Sequence, residues 1–242
     1  MGRLKKSICE PKKWLDQKVA TIHADNSISD DRLRKSERFG RALEGSIDEW
    51  FDSTYVKIVS QKEIEFLFDE FQKKFINEIT EKITNPKESV FTSGMTPNLS
   101  AANTFTRSLS TKFGNIFEDI ACLSPKVISS EKNFEKTKIT GVDILIVEAS
   151  KREIIFSQVK TAKGTLTGSQ APRSESELSV FRKGIFCAAL NMGGWTFNSQ
   201  QIERKSGSEF WELVGINEYE FIKQKAEKMF GELEELFKSF IN

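Results

Sequence analysis

The chain has 242 residues, with 36 Lys and Arg against 35 Asp and Glu, a formal net charge of +1, one histidine and three cysteines. Near-balanced charge argues against loose, charge-driven nucleic-acid binding as the whole function, because such binding rests on a basic excess. Cys9, Cys122 and Cys187 are far apart and form no C-x-x-C pair, and His23 stands alone, which argues against a disulfide framework, a zinc ribbon or histidine-based chemistry.

The basic N-terminus lacks an apolar core segment, so no secretory signal is expected. Residues 1–88 read as helical and heavily charged. Their clearest helix is SQKEIEFLFDEFQKKFINEITEKI, 60–83, with Ile64, Leu67, Phe68, Phe71, Phe75, Ile76 and Ile79 on one broad face suited to core packing. Pro86 follows as a stop. Residues 89–104, rich in Ser, Thr and Asn with Gly94 and Pro97, read as a polar loop, either a connection or a DNA-contacting segment. A helix is predicted over 107–123, where Phe113, Ile116, Phe117, Ile120, Ala121 and Leu123 recur at helical spacing. Glu118 falls at the edge of that apolar face. Asp119 points about 100° away on a helix of about 3.6 residues per turn.

Two strands follow. Residues 141–149 (Val142, Ile144, Leu145, Ile146, Val147) and 154–159 (Ile154, Ile155, Phe156, Val159) are nearly continuous apolar runs, as in strands covered on both faces. Ser150, Lys151 and Arg152 are a polar break short enough for a hairpin. Alternation puts Gln158 and Lys160 on one face and Val159 on the other. An antiparallel pair closed at 150–152 brings Asp143 opposite residues 158–160. Burying such a polar trio at the end of an apolar sheet is costly without a partner, and a divalent cation is the obvious one. Mg²⁺ takes oxygen ligands and keeps several waters. Asp143 would be the principal carboxylate ligand and the Val159 carbonyl a second oxygen, while Lys160 would act on the water and on developing negative charge. Gln158 can offer only an amide oxygen, so the site is short of charge.

The segment 161–182, TAKGTLTGSQAPRSESELSVFR, is rich in groups that reach phosphates and base edges. Gln170 and Arg173 are the base-reading candidates, since Gln pairs with adenine and Arg with guanine in the major groove. Lys163, Arg107 and Lys112 suit phosphates. The solvated-loop reading stands beside this one for each of them. The uncharged stretch 184–202 is broken by Asn191, Gly193, Gly194 and Asn198 and is not a membrane span. Phe210 and Trp211 read as core. A last helix is predicted over 218–240, with a face that packs on the N-terminal helices or on a second copy. The expected organisation is a helical region, 1–88, packed on an α/β core with a C-terminal helix, 89–242.

Asp143, Gln158 and Lys160 resemble the PD-(D/E)XK nuclease superfamily, with Val142 at the proline position and Gln158 at the acidic position of E-x-K. The runs RSLSTKFGNIFE, 107–118, and GSEFWELVGINEYEFI, 207–222, resemble segments of type II restriction endonucleases. Together these matches cover about half the chain. The resemblance implies a restriction-endonuclease-like α/β fold, a central mixed β-sheet flanked by helices. It implies Glu118 as an active-site and metal-binding residue that compensates for Gln158. It also implies a Mg²⁺-dependent, sequence-specific endonuclease acting on double-stranded DNA as a homodimer in a bacterial or archaeal cytoplasm, beside a cognate DNA methyltransferase and with no membrane partner. The alternatives are a modification-dependent, repair or junction nuclease of the same fold, and a DNA-binding module that has lost catalysis.

Overall fold

A computed structural model describes residues 32–44, 58–85, 97–130, 139–148, 151, 153–166 and 169–241. His23, Cys9, Pro86 and the boundary expected at residue 88 lie outside them. The chain forms two compact units, residues 1–58 with 121–217 and residues 59–120 with 218–242.

The first unit is built on a five-stranded sheet in the order β1–β2–β3–β4–β5. The strands are β1 Val127–Ser129, β2 Ile144–Glu148, β3 Glu153–Ala162, β4 Gly184–Leu190 and β5 Glu203–Ser206. β1, β2 and β3 pair antiparallel, whereas β3, β4 and β5 pair parallel, so the sheet is mixed. The expected hairpin is present. Glu148 pairs with Glu153 at its closed end and Ile144 with Ser157 at its open end. β4, Ile144–Val147 of β2 and Ile154–Val159 of β3 are buried; these runs are apolar, as burial requires, except at Ser157 and Gln158.

One sheet face holds a core of Leu145, Val147, Ile154, Phe156 and Phe186, packed with Phe39 and Leu43 of α1 (Arg32–Glu44), Leu178 of α4 (Gln170–Leu178), and Phe181 and Phe197. The second helix and most of the third belong to the other unit. Phe156 stacks on Phe181 at 4.2 Å and Phe186 on Phe197 at 4.3 Å between ring centroids. The turn from α4 into β4 is so tight that a Cβ on Gly184 would lie 2.4 Å from the Leu178 carbonyl oxygen, so only glycine fits. Phe210 and Trp211 of α5 (Ser208–Leu213) are buried as expected, and the Trp211 indole donates to the Ala189 carbonyl at 2.8 Å.

The second unit is helical, with α2 Gln61–Thr84, most of α3 Pro97–Ala121, and α6 Tyr219–Ile241. Ser60 caps α2 in a capping box: its hydroxyl accepts from Glu63 N at 3.4 Å, and the Glu63 carboxylate accepts from Ser60 N at 3.0 Å. Phenylalanines fill the interior. Phe113 packs edge-on to Phe71 and Phe117 and tilts against Phe230 at 4.4 Å, and Phe105 meets Phe75 and Phe237. The apolar face of α6 therefore packs within this unit.

One expectation is corrected. Residues 97–104, read as the end of a loop, are the first turns of α3. Pro97 occupies the first helical position, where its missing N–H costs nothing. Buried Ala101 and Phe105 extend the apolar stripe at i, i+4 spacing through a polar segment. Among the described residues no helix is long and apolar enough to cross a membrane.

Candidate functional site

The strand register decides what happens around Asp143. β2 begins at Ile144, opposite Ser157, so beyond Ser157 the β2-side edge of β3 has no strand beside it. Asp143 takes that place. Its N–H donates to the Ser157 carbonyl at 2.9 Å, and its Oδ2 accepts from Val159 N at 2.8 Å. A side-chain carboxylate thus substitutes for the next rung of the ladder. Both backbone polar groups of one strand residue leave on the same edge, so the Val159 carbonyl lies on the Asp143 side of β3.

Lys160 Nζ is 3.9 Å from the same Oδ2, with side chains 30% and 27% exposed. A half-exposed pair at this distance contributes little to stability. Gln158 shares the Lys160 face of β3 but is only 8% exposed. Its Oε1 is buried with no hydrogen-bond partner among the described residues. Such an orphaned acceptor costs about 1–3 kcal/mol; Ser157 Oγ, on the preceding residue of β3, is also buried without a hydrogen-bond partner among the described residues.

The donors fit a hard cation. Asp143, Gln158 Oε1 and the Val159 carbonyl are all oxygens, the type Mg²⁺ takes, and one or two carboxylates suffice for it. The set is poor in charge. No group of three or more His, Cys, Asp or Glu suited to holding a metal occurs among the described residues. Gln158→Leu therefore has an expected signature. In EDTA its melting temperature should match or exceed wild type, since an unpaired buried oxygen is removed. The Mg²⁺ midpoint for cleavage should rise on the order of 10- to 100-fold. A lower melting temperature in EDTA would show that Gln158 is satisfied in the metal-free protein.

The other predicted residues divide between the units. Asp143, Gln158, Val159 and Lys160 come together in the sheet unit. Glu118 and Asp119 are partly exposed on α3, in the helical unit. Arg107 is exposed on α3, and Lys112 forms an ion pair with Glu78 within the same unit. Lys163 lies in the turn after β3, where its N–H donates to Met192 O and its carbonyl accepts from Thr196 N, each at 3.2 Å.

Gln170 opens α4 and is exposed. Arg173 lies on α4, where Nε donates to Glu177 Oε1 at 2.7 Å, and the hydrogen bond to that carboxylate raises the Arg173 pKa. The Glu177 side chain is only 8% exposed and packs on the turn leading to Asp143. A Cβ on Gly141, at φ +75°, would lie 2.4 Å from Glu177 Cβ. Arg173→Ala should therefore lower the melting temperature by leaving a buried carboxylate unpaired, and Glu177→Gln should suppress much of that loss. Additive melting shifts in the single and double variants would show that the pair is not coupled.

Two residues near Asp143 are absent from the candidates read from the sequence, Glu177 and Ser130. Ser130 directly follows β1 and is buried. Its N–H donates to the Asp143 carbonyl at 3.0 Å and its hydroxyl to the Val142 carbonyl at 2.5 Å. Cys187 pairs in register with Val159, and burial pushes its thiol up to about 12, which makes it a packing group rather than a nucleophile. Comparison with protein-family models, with curated proteins and with solved structures returned no match.

Proposed function

We propose that the chain is a Mg²⁺-dependent endonuclease that hydrolyses phosphodiester bonds in double-stranded DNA, of the sequence-specific type II restriction class and with a restriction-endonuclease-like fold. The observation that supports this best is the orphaned Oε1 of Gln158, a residue that precedes Lys160 by two on β3 and directly precedes Val159, whose amide the Asp143 carboxylate binds. Asp143, the Val159 carbonyl and Gln158 Oε1 would hold the cation. Bound there, Mg²⁺ supplies charge neutralisation at the phosphoryl group and lowers the pKa of water. The Val159 N–H holds the Asp143 carboxylate in one orientation, so the ligand is set before DNA arrives. Lys160, 3.9 Å from that carboxylate, would as an ammonium stabilise negative charge developing on the scissile phosphate, or as the neutral amine accept the proton that the attacking water loses. Cutting both antiparallel strands at a palindrome calls for two copies related by a two-fold axis, and a cytoplasmic host with a cognate methyltransferase follows from the class.

A second reading, a DNA-binding module without catalysis, draws on the single carboxylate among the three donors. Incubating a sequenced plasmid with the protein in Mg²⁺ and in EDTA separates the readings. Discrete Mg²⁺-dependent fragments support restriction. Cutting confined to methylated plasmid supports a modification-dependent enzyme, and structure-dependent cutting supports a repair or junction nuclease. Retarded but intact DNA supports the module. If Glu118 supplies the missing charge, Glu118→Ala should lose at least about 10²-fold in cleavage rate and Asp119→Ala much less. Equal losses would remove Glu118 from the site.

A further inference from the structure

We infer that Ser130 is a positioning residue that aims the Asp143 carboxylate, an inference that rests on reading Asp143 as the principal metal ligand. The β1–β2 pairing extends to Ser129 opposite Ile144. Val142 and Asp143 lie beyond β2, where a chain end would ordinarily fray. Three hydrogen bonds prevent this. The Asp143 N–H is held by Ser157 O at 2.9 Å, and the Asp143 and Val142 carbonyls are held by Ser130 N and Ser130 Oγ at 3.0 and 2.5 Å.

The backbone is thus fixed on both sides of the Asp143 Cα, and a fourth bond, from Val159 N to Oδ2 at 2.8 Å, reads out the result. A backbone N–H alone could satisfy only one of the two carbonyls, so the second needs a side-chain donor at position 130. Ser130 and Val142 are both buried, so water is a poor substitute for the hydroxyl. Nothing in the local sequence marks this serine, because its partners lie 12 and 13 residues away along the chain and meet it only through the β1–β2 register.

The test uses the full, metal-free, ¹⁵N-labelled chain and amide hydrogen exchange at Val159, the residue whose N–H reports where the carboxylate is. Ser130→Ala is compared with Ser124→Ala, which removes another buried hydroxyl of the same unit, one that accepts from Lys126 N. Both are measured at the same offset below their melting temperatures. Exchange at Val159 should be about tenfold faster in Ser130→Ala, the scale of losing one net hydrogen bond, and unchanged in Ser124→Ala. Equal exchange in the two variants overturns the inference. Ser130→Cys, similar in shape with a weaker donor, should shift exchange in the same direction and serves should the alanine variant not fold.

The Mg²⁺ midpoint of plasmid cleavage should also rise about tenfold in Ser130→Ala, with DNA retardation in EDTA unchanged. An unmoved midpoint together with fast Val159 exchange overturns the catalytic part of the inference. A wild-type protein that never cuts removes the nuclease reading instead, and exchange at Val159 still decides whether Ser130 holds the carboxylate.

Discussion

Asp143→Ala is expected to abolish Mg²⁺-supported plasmid cleavage and, in the same protein, to lower the melting temperature. The two effects have separate causes. Cleavage is lost because Asp143 is the one carboxylate among the three oxygen donors at the end of β3, and a charge-poor site has no substitute for it. Stability is lost because the carboxylate also accepts from Val159 N in place of a strand. Leaving that donor unsatisfied costs about 1–3 kcal/mol, toward the lower end where water can reach it. Asp143 is partly exposed, so the lower end applies.

Asp143→Asn separates the two. Its amide oxygen can still accept from Val159 N, so the melting temperature should recover most of the loss, while cleavage stays abolished for want of charge. The measurements are thermal melts in EDTA beside a cleavage time course in Mg²⁺. Wild-type cutting by either variant would sink the assignment of the site. A melting temperature in Asp143→Asn no higher than in Asp143→Ala would mean that the side chain has a structural role different from the one described.

Lys160→Ala should stop cutting and leave DNA binding nearly intact. An interaction made mainly in the transition state adds little to ground-state affinity, and the expected loss is on the order of 10²–10³ in rate, the scale of removing one donor to developing negative charge. The fold should tolerate the change, because Lys160 makes a long, partly exposed contact of 3.9 Å with Asp143. A gel-shift titration in EDTA at fixed salt, paired with single-turnover cleavage in Mg²⁺, measures both quantities. Normal cutting by Lys160→Ala would overturn the mechanism. Loss of binding and cutting in parallel would make Lys160 a phosphate contact rather than a participant in the chemistry. Arg173 offers the opposite test. Its guanidinium is already committed to Glu177, so any base it reads must share it with a buried carboxylate. Arg173→Ala assayed on cognate and mutated sites, with Glu177→Gln as the control, distinguishes lost discrimination from a displaced α4.

What the sequence by itself determined was local and periodic. The β2–β3 hairpin follows from two apolar runs around a three-residue polar break, and its register follows from where that break falls. The approach of Asp143 to Lys160 was therefore implicit in the spacing of residues 143 and 160 about the turn. Helices α2 and α6 follow from stripes at helical spacing that survive any packing partner. Where polar composition overlay the stripe, as at 97–104, the same rule failed to register it until buried Ala101 and Phe105 showed which face was inside. The Arg173–Glu177 pair sits at i, i+4, a spacing that becomes a contact because 170–178 is helical.

The tertiary structure alone decided the rest. That Gln158 is buried and its oxygen unpaired is a property of the assembled unit, in which β3 lies between β2 and β4. That Ser130 clamps the Val142 and Asp143 carbonyls depends on β1 lying beside β2. The physical reason is the same in both cases. Hydrophobic period is a property of one segment and can be counted along it, whereas the satisfaction of a buried polar group is a property of whichever strands become neighbours, and strand order is settled only when the whole sheet closes its hydrogen bonds.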